Sequence, residues 1–180
     1  RVLDMCTGSG CILLSLLHYS NDCEGLGVDL SAEALEVAER NVLKVLTPEK
    51  AEHAHFLQSD LFEKVEGKFE IIVSNPPYIA SAEVEKLMPE VRDHEPRMAL
   101  DGTEDGLHFY RRIIEEAGKH LVSSGMLFFE IGYDQGQAVS ELMRTGGYRE
   151  VQVVQDYAGL DRVVFGTYVT VQPAPFAKSR

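Results

Sequence analysis

The chain has 180 residues, 44% hydrophobic and 26% charged, which excludes global disorder and fits one globular domain. Lys and Arg number 17 against 29 Asp and Glu, so the formal net charge is −12. A balance this acidic disfavours a protein living along duplex DNA, where contacts to phosphate dominate affinity. Three cysteines, Cys6, Cys11 and Cys23, form no CxxC pattern and are odd in number. They suit a reduced, cytoplasmic chain with neither a disulfide framework nor a bound metal. The apolar stretch Cys11 to Leu17 is far too short to span a bilayer, and no signal-peptide pattern precedes it. A membrane partner is therefore not expected.

In chain order, Val2 to Met5 predicts a short strand, and Gly8-Ser9-Gly10 a turn into an apolar helix from about Cys11 to His18. The chain opens inside what reads as a central strand, so an upstream native segment is expected to be missing. Gly25 to Asp29 predicts a second strand. Ser31 can cap the next helix, where Leu35, Ala38 and Val42 recur at helical spacing. Ala54 to Gln58 predicts a third strand. Phe69 to Ser74 predicts a fourth, whose β-branched run suits burial on both faces. Leu107 to Leu121 predicts a helix, Gly125 to Ile131 a fifth strand, and Gln135 to Arg144 a helix stopped by Gly146-Gly147. Tyr148 to Asp156 and Arg162 to Val169 predict a closing strand pair, the latter near an edge. Residues 1–170 are expected to form the domain, and 171–180, with Pro173 and Pro175, a loose tail.

Alternating strands and helices imply an α/β, doubly wound, mostly parallel sheet with an antiparallel closing pair. Ligands on such sheets bind beyond the carboxyl ends of the strands. Two groups of residues fall there. In the first, Asp4-Met5-Cys6-Thr7-Gly8-Ser9-Gly10 is a small-residue turn at a helix start, open to close approach of a ligand. Asp29 follows Gly10 by 19 positions, close to the spacing of a ribose-binding acid. The plain alternative is a tight βα turn with a capping acid. The turn lacks the last glycine of G-x-G-x-x-G, Cys6 replaces the first, and no G-x-x-x-x-G-K follows.

The second group is Ser74-Asn75-Pro76-Pro77-Tyr78, after the buried fourth strand. Two prolines fix the chain and remove two donors, which leaves carbonyls free to accept. The Asn75 side-chain oxygen and the Pro76 carbonyl can hold both hydrogens of an NH2 group, with Tyr78 packing on a planar group beside it. An amide nitrogen is a poor nucleophile because its lone pair is delocalised. Gripping both N–H bonds aims that lone pair and favours the charge that develops on nitrogen. The plain alternative is a rigid proline turn.

The glycine turn resembles motif I of class I S-adenosylmethionine-dependent methyltransferases, and Asn-Pro-Pro-Tyr resembles the motif of amino-methyltransferases. Further stretches narrow the resemblance: Asp93 to Gly102, Asp105-Gly106-Leu107, Tyr110-Arg111, Phe129-Glu130-Ile131-Gly132 and Asp161 to Val164 are similar to the HemK/PrmC family. These are protein-(glutamine-N5) methyltransferases acting on peptide-chain release factors. The resemblance runs from about Val2 to Gly166. It implies S-adenosyl-L-methionine as cofactor, S-adenosyl-L-homocysteine as product, and a release factor as protein partner. It implies cofactor contacts from Cys6, Thr7, Gly8, Ser9, Gly10, Asp29, Asp60, Leu61 and Asn75. Asn75, Pro76, Pro77 and Tyr78 would bind the target glutamine, with Asn75, Pro76 and Tyr78 acting in the chemistry.

Two features depart from the family. Cys6 stands where glycine is frequent, and Cys-Thr-Gly-Ser-Gly-Cys-Ile resembles a sister group that methylates a large-subunit ribosomal protein. The family's N-terminal helical domain, which helps recognise the release factor, has no counterpart in the chain. Alternatives are methylation of that ribosomal protein, adenine methylation of nucleic acid, or a non-catalytic binding module. The charge and the lack of a long basic insertion make nucleic acid the poorer substrate. His53 and His55 read as edge or surface residues, Met88 and Met98 as packing, and Glu130 as a support near the pocket.

Overall fold

A computed structural model describes residues 1–92 and 94–169. The 171–180 tail and Asp93 lie outside the described residues. The element order is β1 (Val2–Met5), α1 (Cys11–Tyr19), β2 (Gly25–Asp29), α2 (Ala32–Val45), α3 (Pro48–Ala51), β3 (Ala54–Gln58) and β4 (Phe69–Ser74). Three single helical turns follow: α4 (Ser81–Val84), α5 (Pro89–Arg92) and α6 (Arg97–Leu100). Then come α7 (His108–Ala117), β5 (Leu121–Glu130), α8 (Gly136–Thr145), β6 (Tyr148–Gln155) and β7 (Asp161–Tyr168).

The seven strands form one sheet in the order β3-β2-β1-β4-β5-β7-β6. β1 to β5 are parallel, whereas β7 runs antiparallel to both β5 and β6. The expected architecture is present, with one correction to a strand boundary. β7 lies near an edge as expected, between β5 and the edge strand β6. The residues explain this. β7 buries Val164, whereas Val153 and Val154 of β6 stay exposed. β5 starts earlier than its apolar run suggested, because Leu121 is buried and pairs with Phe69 across an irregularity before Ile71.

The helices cover both faces. Leu3 and Met5 share one face of β1 and join the core cluster that holds Tyr110, Ile113 and Ile114 of α7 and Val139 and Met143 of α8. Asp4 points to the other face, where its carboxylate accepts the Leu13 N–H of α1. There Leu13, Leu14 and Leu17 pack with Val42 and Leu46 in a second cluster. Tyr110 meets Phe129 edge to face at 5.1 Å, worth about 1 kcal/mol beyond the area it buries.

The chain winds outward from β1 through β2 to β3, then crosses back to place β4 on the other side of β1. The crevice at this switch lies beyond the carboxyl ends of β1 and β4. Met5 pairs with Val28 on one side and Ser74 on the other. That register sets Cys6, Asp29 and Asn75 side by side at the ends of three adjacent strands.

Candidate functional site

A cavity of about 460 Å³ opens at that crevice. Cys6, Thr7, Gly8 and Ser9 line it, as do Asp29, Asp60, Leu61, Asn75, Pro76, Pro77 and Tyr78. Of the residues expected there, Gly10 alone stands back. Its φ of 80° begins α1, and a Cβ on it would lie 3.2 Å from Ala38 Cβ, so it lets α1 close on α2. His53 and His55 are exposed on or beside the edge strand β3.

The glycine turn is held from both neighbouring strands. Thr7 donates its N–H to Val28 and its hydroxyl to Asp4 Oδ2, at 2.9 and 2.7 Å. Gly10, which caps α1 without a side chain, is backed by that same Asp4 oxygen on Leu13 N–H at 3.1 Å. Asp29 Oδ2 accepts the Gly8 N–H at 2.8 Å, and Oδ1 accepts the Ser31 N–H at 2.9 Å. The Asp29 carboxylate is thereby fixed between the turn and the start of α2, with lone pairs left for a ligand. Ser31 caps α2 as expected, accepting from Ala34 N–H at 3.1 Å.

Cys6 has a φ of 60°. This left-handed backbone is the conformation that favours glycine, and it explains why the position suits glycine in related turns. Burial, with the charge of Asp29 adding to it, pushes its thiol up to about 12. A group so poorly ionised is no nucleophile at neutral pH.

Asp4 is buried, and its Oδ1 has no hydrogen-bond partner. Burial raises its carboxyl to about 7 from an ordinary 3.8, against the lowering effect of its bonds from Thr7 and Leu13. The folded state thus holds this proton more tightly than the unfolded chain does. The contribution to stability is fullest below pH 3.8 and is lost as pH rises towards 7. Asp4→Asn is expected to remove that component. In urea titrations, the variant should gain on the parent between pH 4.5 and 7.5 by on the order of a few kcal/mol. A constant difference across that range would refute the assignment.

The Ser74–Tyr78 turn is as rigid as its prolines imply. Ser74 Oγ donates to the Met5 carbonyl at 2.7 Å, locking the end of β4 to β1. Pro76 is buried, while Asn75 is exposed at the cavity. The Ile79 N–H donates to the Leu100 carbonyl at 3.0 Å, and Gly102 N–H to the Ile79 carbonyl at 2.7 Å. The stretch after Tyr78 therefore pairs with the α6 turn and carries it over the cavity. Burial raises the Tyr78 phenol, the Glu130 carboxylate raises it further, and Arg162 opposes the rise. Tyr78 stays protonated at neutral pH. The expectation for Glu130 as a nearby support fits this influence, and its carbonyl accepts the Tyr110 hydroxyl at 2.9 Å.

Several lining residues escaped the sequence reading. Met98, Leu100 and Phe109 form an apolar wall. Met98 is half exposed at 50%, so its expected packing role is corrected to the cavity rim; Met88 is more exposed still, at 68%. Asp60 carries a partner that no motif announced: Arg112 of α7, 3.0 Å from Oδ1.

The lining decides what the cavity can hold. Its charged members are Asp29 and Asp60, and neither lysine nor arginine is among the described lining residues. With Asp60 paired to Arg112, Asp29 is the uncompensated charge of the wall, which disfavours phosphate there and suits a ligand with hydroxyl and amine donors. A Cβ added to Gly8, whose φ is 55°, would meet nothing within 4 Å, so the space over the turn is open to a ligand. Two carboxylates sharing a wall with apolar Leu61 and Phe109 fit a sulfonium-bearing nucleoside. Among the described residues no His, Cys, Asp and Glu cluster could hold a metal, and no helix is long and apolar enough to cross a membrane.

Comparison with known proteins agrees. The chain is 44% identical over 165 residues to the release factor glutamine methyltransferase of Thermodesulfovibrio yellowstonii, covering 91% of this chain and 58% of that one. It is 45% identical over 164 residues to the one of Agrobacterium fabrum, covering 91% and 56%. The chain thus spans about half the length of the curated relatives it matches. A methyltransferase from Pyrococcus furiosus superposes with a TM-score of 0.67 at 18% identity, covering 93% of this chain and 74% of that one. An RNA methyltransferase from Salinibacter ruber, solved with S-adenosyl-L-homocysteine, gives 0.58 at 16% identity, covering 98% and 86%. These two share the class I methyltransferase fold with it. Residues 1–91 match the family described as the methyltransferase small domain. With that match over half its length, the chain belongs to the methyltransferase small domain family.

Proposed function

We propose that this chain is the catalytic part of a protein-(glutamine-N5) methyltransferase that modifies peptide-chain release factors in the cytoplasm. The observation that carries this reading is the Asn75–Tyr78 turn, rigid and rich in acceptors, set by the β1–β4 register beside an acidic nucleoside-sized cavity. Relatives named release factor glutamine methyltransferase, at 44% and 45% identity, support the substrate.

When bound, S-adenosyl-L-methionine supplies an electrophilic methyl carbon. Cys6, Thr7, Gly8 and Ser9 would hold its methionine end, Asp29 the ribose, and Asp60 with Leu61 the adenine. Asp60 Oδ1 is shared with Arg112, so the second carboxylate oxygen is the one left for the adenine amine. Asn75 and Pro76 present oxygens to the two N–H bonds of the glutamine amide. With both hydrogens held, the nitrogen lone pair has one direction left. As the nitrogen bonds to the methyl carbon and the methyl–sulfur bond breaks, positive charge grows on that nitrogen, both N–H bonds become stronger donors and the two fixed dipoles gain, and one of the two protons then passes to water. Tyr78, protonated, offers a flat face to the amide and does not act as a base. The prolines make the turn rigid before substrate arrives, so little reorganisation is needed at the moment of reaction.

The test is mass spectrometry of candidate substrates after incubation with S-adenosyl-L-methionine. One added methyl on a release-factor glutamine is expected. Methyl on a ribosomal protein or an oligonucleotide instead would overturn the substrate assignment.

A further inference from the structure

The Asn75–Tyr78 turn raises a problem of support. Pro76 and Pro77 have no N–H, so the turn cannot tie itself down with its own amides. The β4 ladder ends at Ser74, and the next backbone tie is the Ile79 N–H. Between them, the Tyr78 carbonyl accepts a hydrogen bond from Gln135 Nε2 at 2.9 Å. Gln135 lies 57 positions away, at the N-terminal cap of α8, and makes no use of that position to cap its own helix.

Its amide is engaged on both sides. Nε2 also reaches the Gly106 carbonyl at 3.4 Å. Oε1 accepts the Gly132 N–H at 3.0 Å and, more weakly, the Tyr110 hydroxyl at 3.4 Å. Two carbonyls face the nitrogen and the Gly132 N–H faces the oxygen, while the Tyr110 proton goes chiefly to the Glu130 carbonyl. That pattern fixes which way the amide points, since a flipped amide would set its NH2 against the Gly132 N–H and its oxygen against two carbonyls. Glu would keep the acceptor bonds and lose both donors. Lys would do the reverse. Asn would fall one methylene short.

The partners come from four places: the catalytic turn, the 102–106 loop, α7 and the end of β5. Space is tight where they meet. A Cβ on Gly102 would lie 2.8 Å from Tyr78 Cα, and one on Gly106 would collide with the Tyr78 carbonyl and sit 2.9 Å from Gln135 Nε2. Glycines are needed there to let the loop close on the turn.

We propose that Gln135 is the positioning residue of the catalytic turn: its amide pins the Tyr78 carbonyl to the β5 end and α7, and so sets the aim of the Asn75 and Pro76 oxygens. It touches neither substrate nor cofactor and acts through Tyr78. The proposal rests on the function proposed above for what the turn grips, but the tether itself is a statement about backbone.

The test uses the full chain carrying Gln135→Glu, which keeps the shape and the acceptor side, with Gln135→Met as the uncharged counterpart. The parent's activity on release factor is measured first, and its absence would refute the proposed function and leave the tether to the second readout. With activity present, kcat should fall at least tenfold in either variant, with KM for the release factor rising less and S-adenosyl-L-homocysteine affinity by calorimetry within about threefold. The second readout needs no activity: amide hydrogen exchange at Ile79 and Gly102, next along the chain, should speed up at least tenfold. Gln135→Asn, one methylene short, should show both effects in weaker form. The proposal is overturned if exchange at Ile79 and Gly102 is unchanged in whichever variant folds, or if kcat stays within twofold of the parent. A fall in cofactor affinity as large as the fall in kcat would also overturn it, because that describes general loosening. Failure of both variants to fold, with Gln135→Asn folded and unchanged in exchange, counts against it equally.

Discussion

Asn75→Ala is expected to lower turnover by about 10²–10³-fold, the usual cost of deleting one preorganised dipole aimed at developing charge. The variant should still fold. Asn75 is exposed, and the turn around it is fixed by Pro76, Pro77 and the Ser74 hydroxyl on the Met5 carbonyl. It should also still bind cofactor to within several-fold, because Asp29, Asp60 and Leu61 lie elsewhere along the cavity. The loss arises in the transition state. With one acceptor gone, the glutamine amide keeps one N–H held by Pro76 and can rotate about it. The lone pair then points along the required line for only a fraction of the time, and half of the stabilisation of nitrogen charge is absent. Single-turnover rates at saturating cofactor and release factor would show this directly. A rate within tenfold of the parent would mean that the Asn75 oxygen does not hold the amide, and the carbonyls of the turn would have to do so alone.

This half of the candidate site was legible in the sequence because proline and asparagine act locally. A donor-free turn after a buried strand is written in five consecutive residues, Ser74 to Tyr78. Asp29 was legible for a related reason: strand, turn and helix lengths fix the spacing between Gly10 and the end of β2. What escaped was everything set by long-range packing. Gln135 meets Tyr78 across 57 positions, and nothing in Gly132 to Gln137 announces a side chain that leaves its own helix end to hold a distant carbonyl. Arg112 reaches Asp60 from α7, a choice of partner that a helical pattern leaves open. Met98 and Leu100 sit in a stretch of single helical turns with no period to read, and only the pairing of Ile79 with the α6 turn brings them over the cavity. The order of β6 and β7 is left open by the sequence for a different reason. Both read as half-apolar strands, and antiparallel closure permits either to be outermost. Burial of Val164 decides it, and burial is a property of the assembled sheet.

Asp29→Ala should produce the opposite split. S-adenosyl-L-methionine affinity is expected to fall about 10²–10³-fold, while turnover at saturating cofactor falls less than tenfold. Two ribose hydroxyls lose a charged acceptor, each such bond being worth about 1.5–3 kcal/mol, and each 1.4 kcal/mol is a factor of ten in affinity. The protein pays as well. Gly8 N–H and Ser31 N–H, now held at 2.8 and 2.9 Å, lose their acceptor, so the glycine turn and the start of α2 loosen together. That loosening acts before binding and adds to the affinity loss, whereas the Asn75–Tyr78 turn across β1 is tied to β1 and to Gln135 and stays in place. Once the cofactor is forced in by concentration, the glutamine grip is intact and chemistry proceeds. Asp29→Asn does not rescue, because its amide nitrogen would face one of two N–H donors. Calorimetry with S-adenosyl-L-homocysteine separates the outcomes. Binding within threefold of the parent would show that the carboxylate serves the two amides alone and that the ribose is held elsewhere. Binding lost in step with turnover would mean that the two turns, side by side at adjacent strand ends, move as one body and not as an affinity half and a chemistry half.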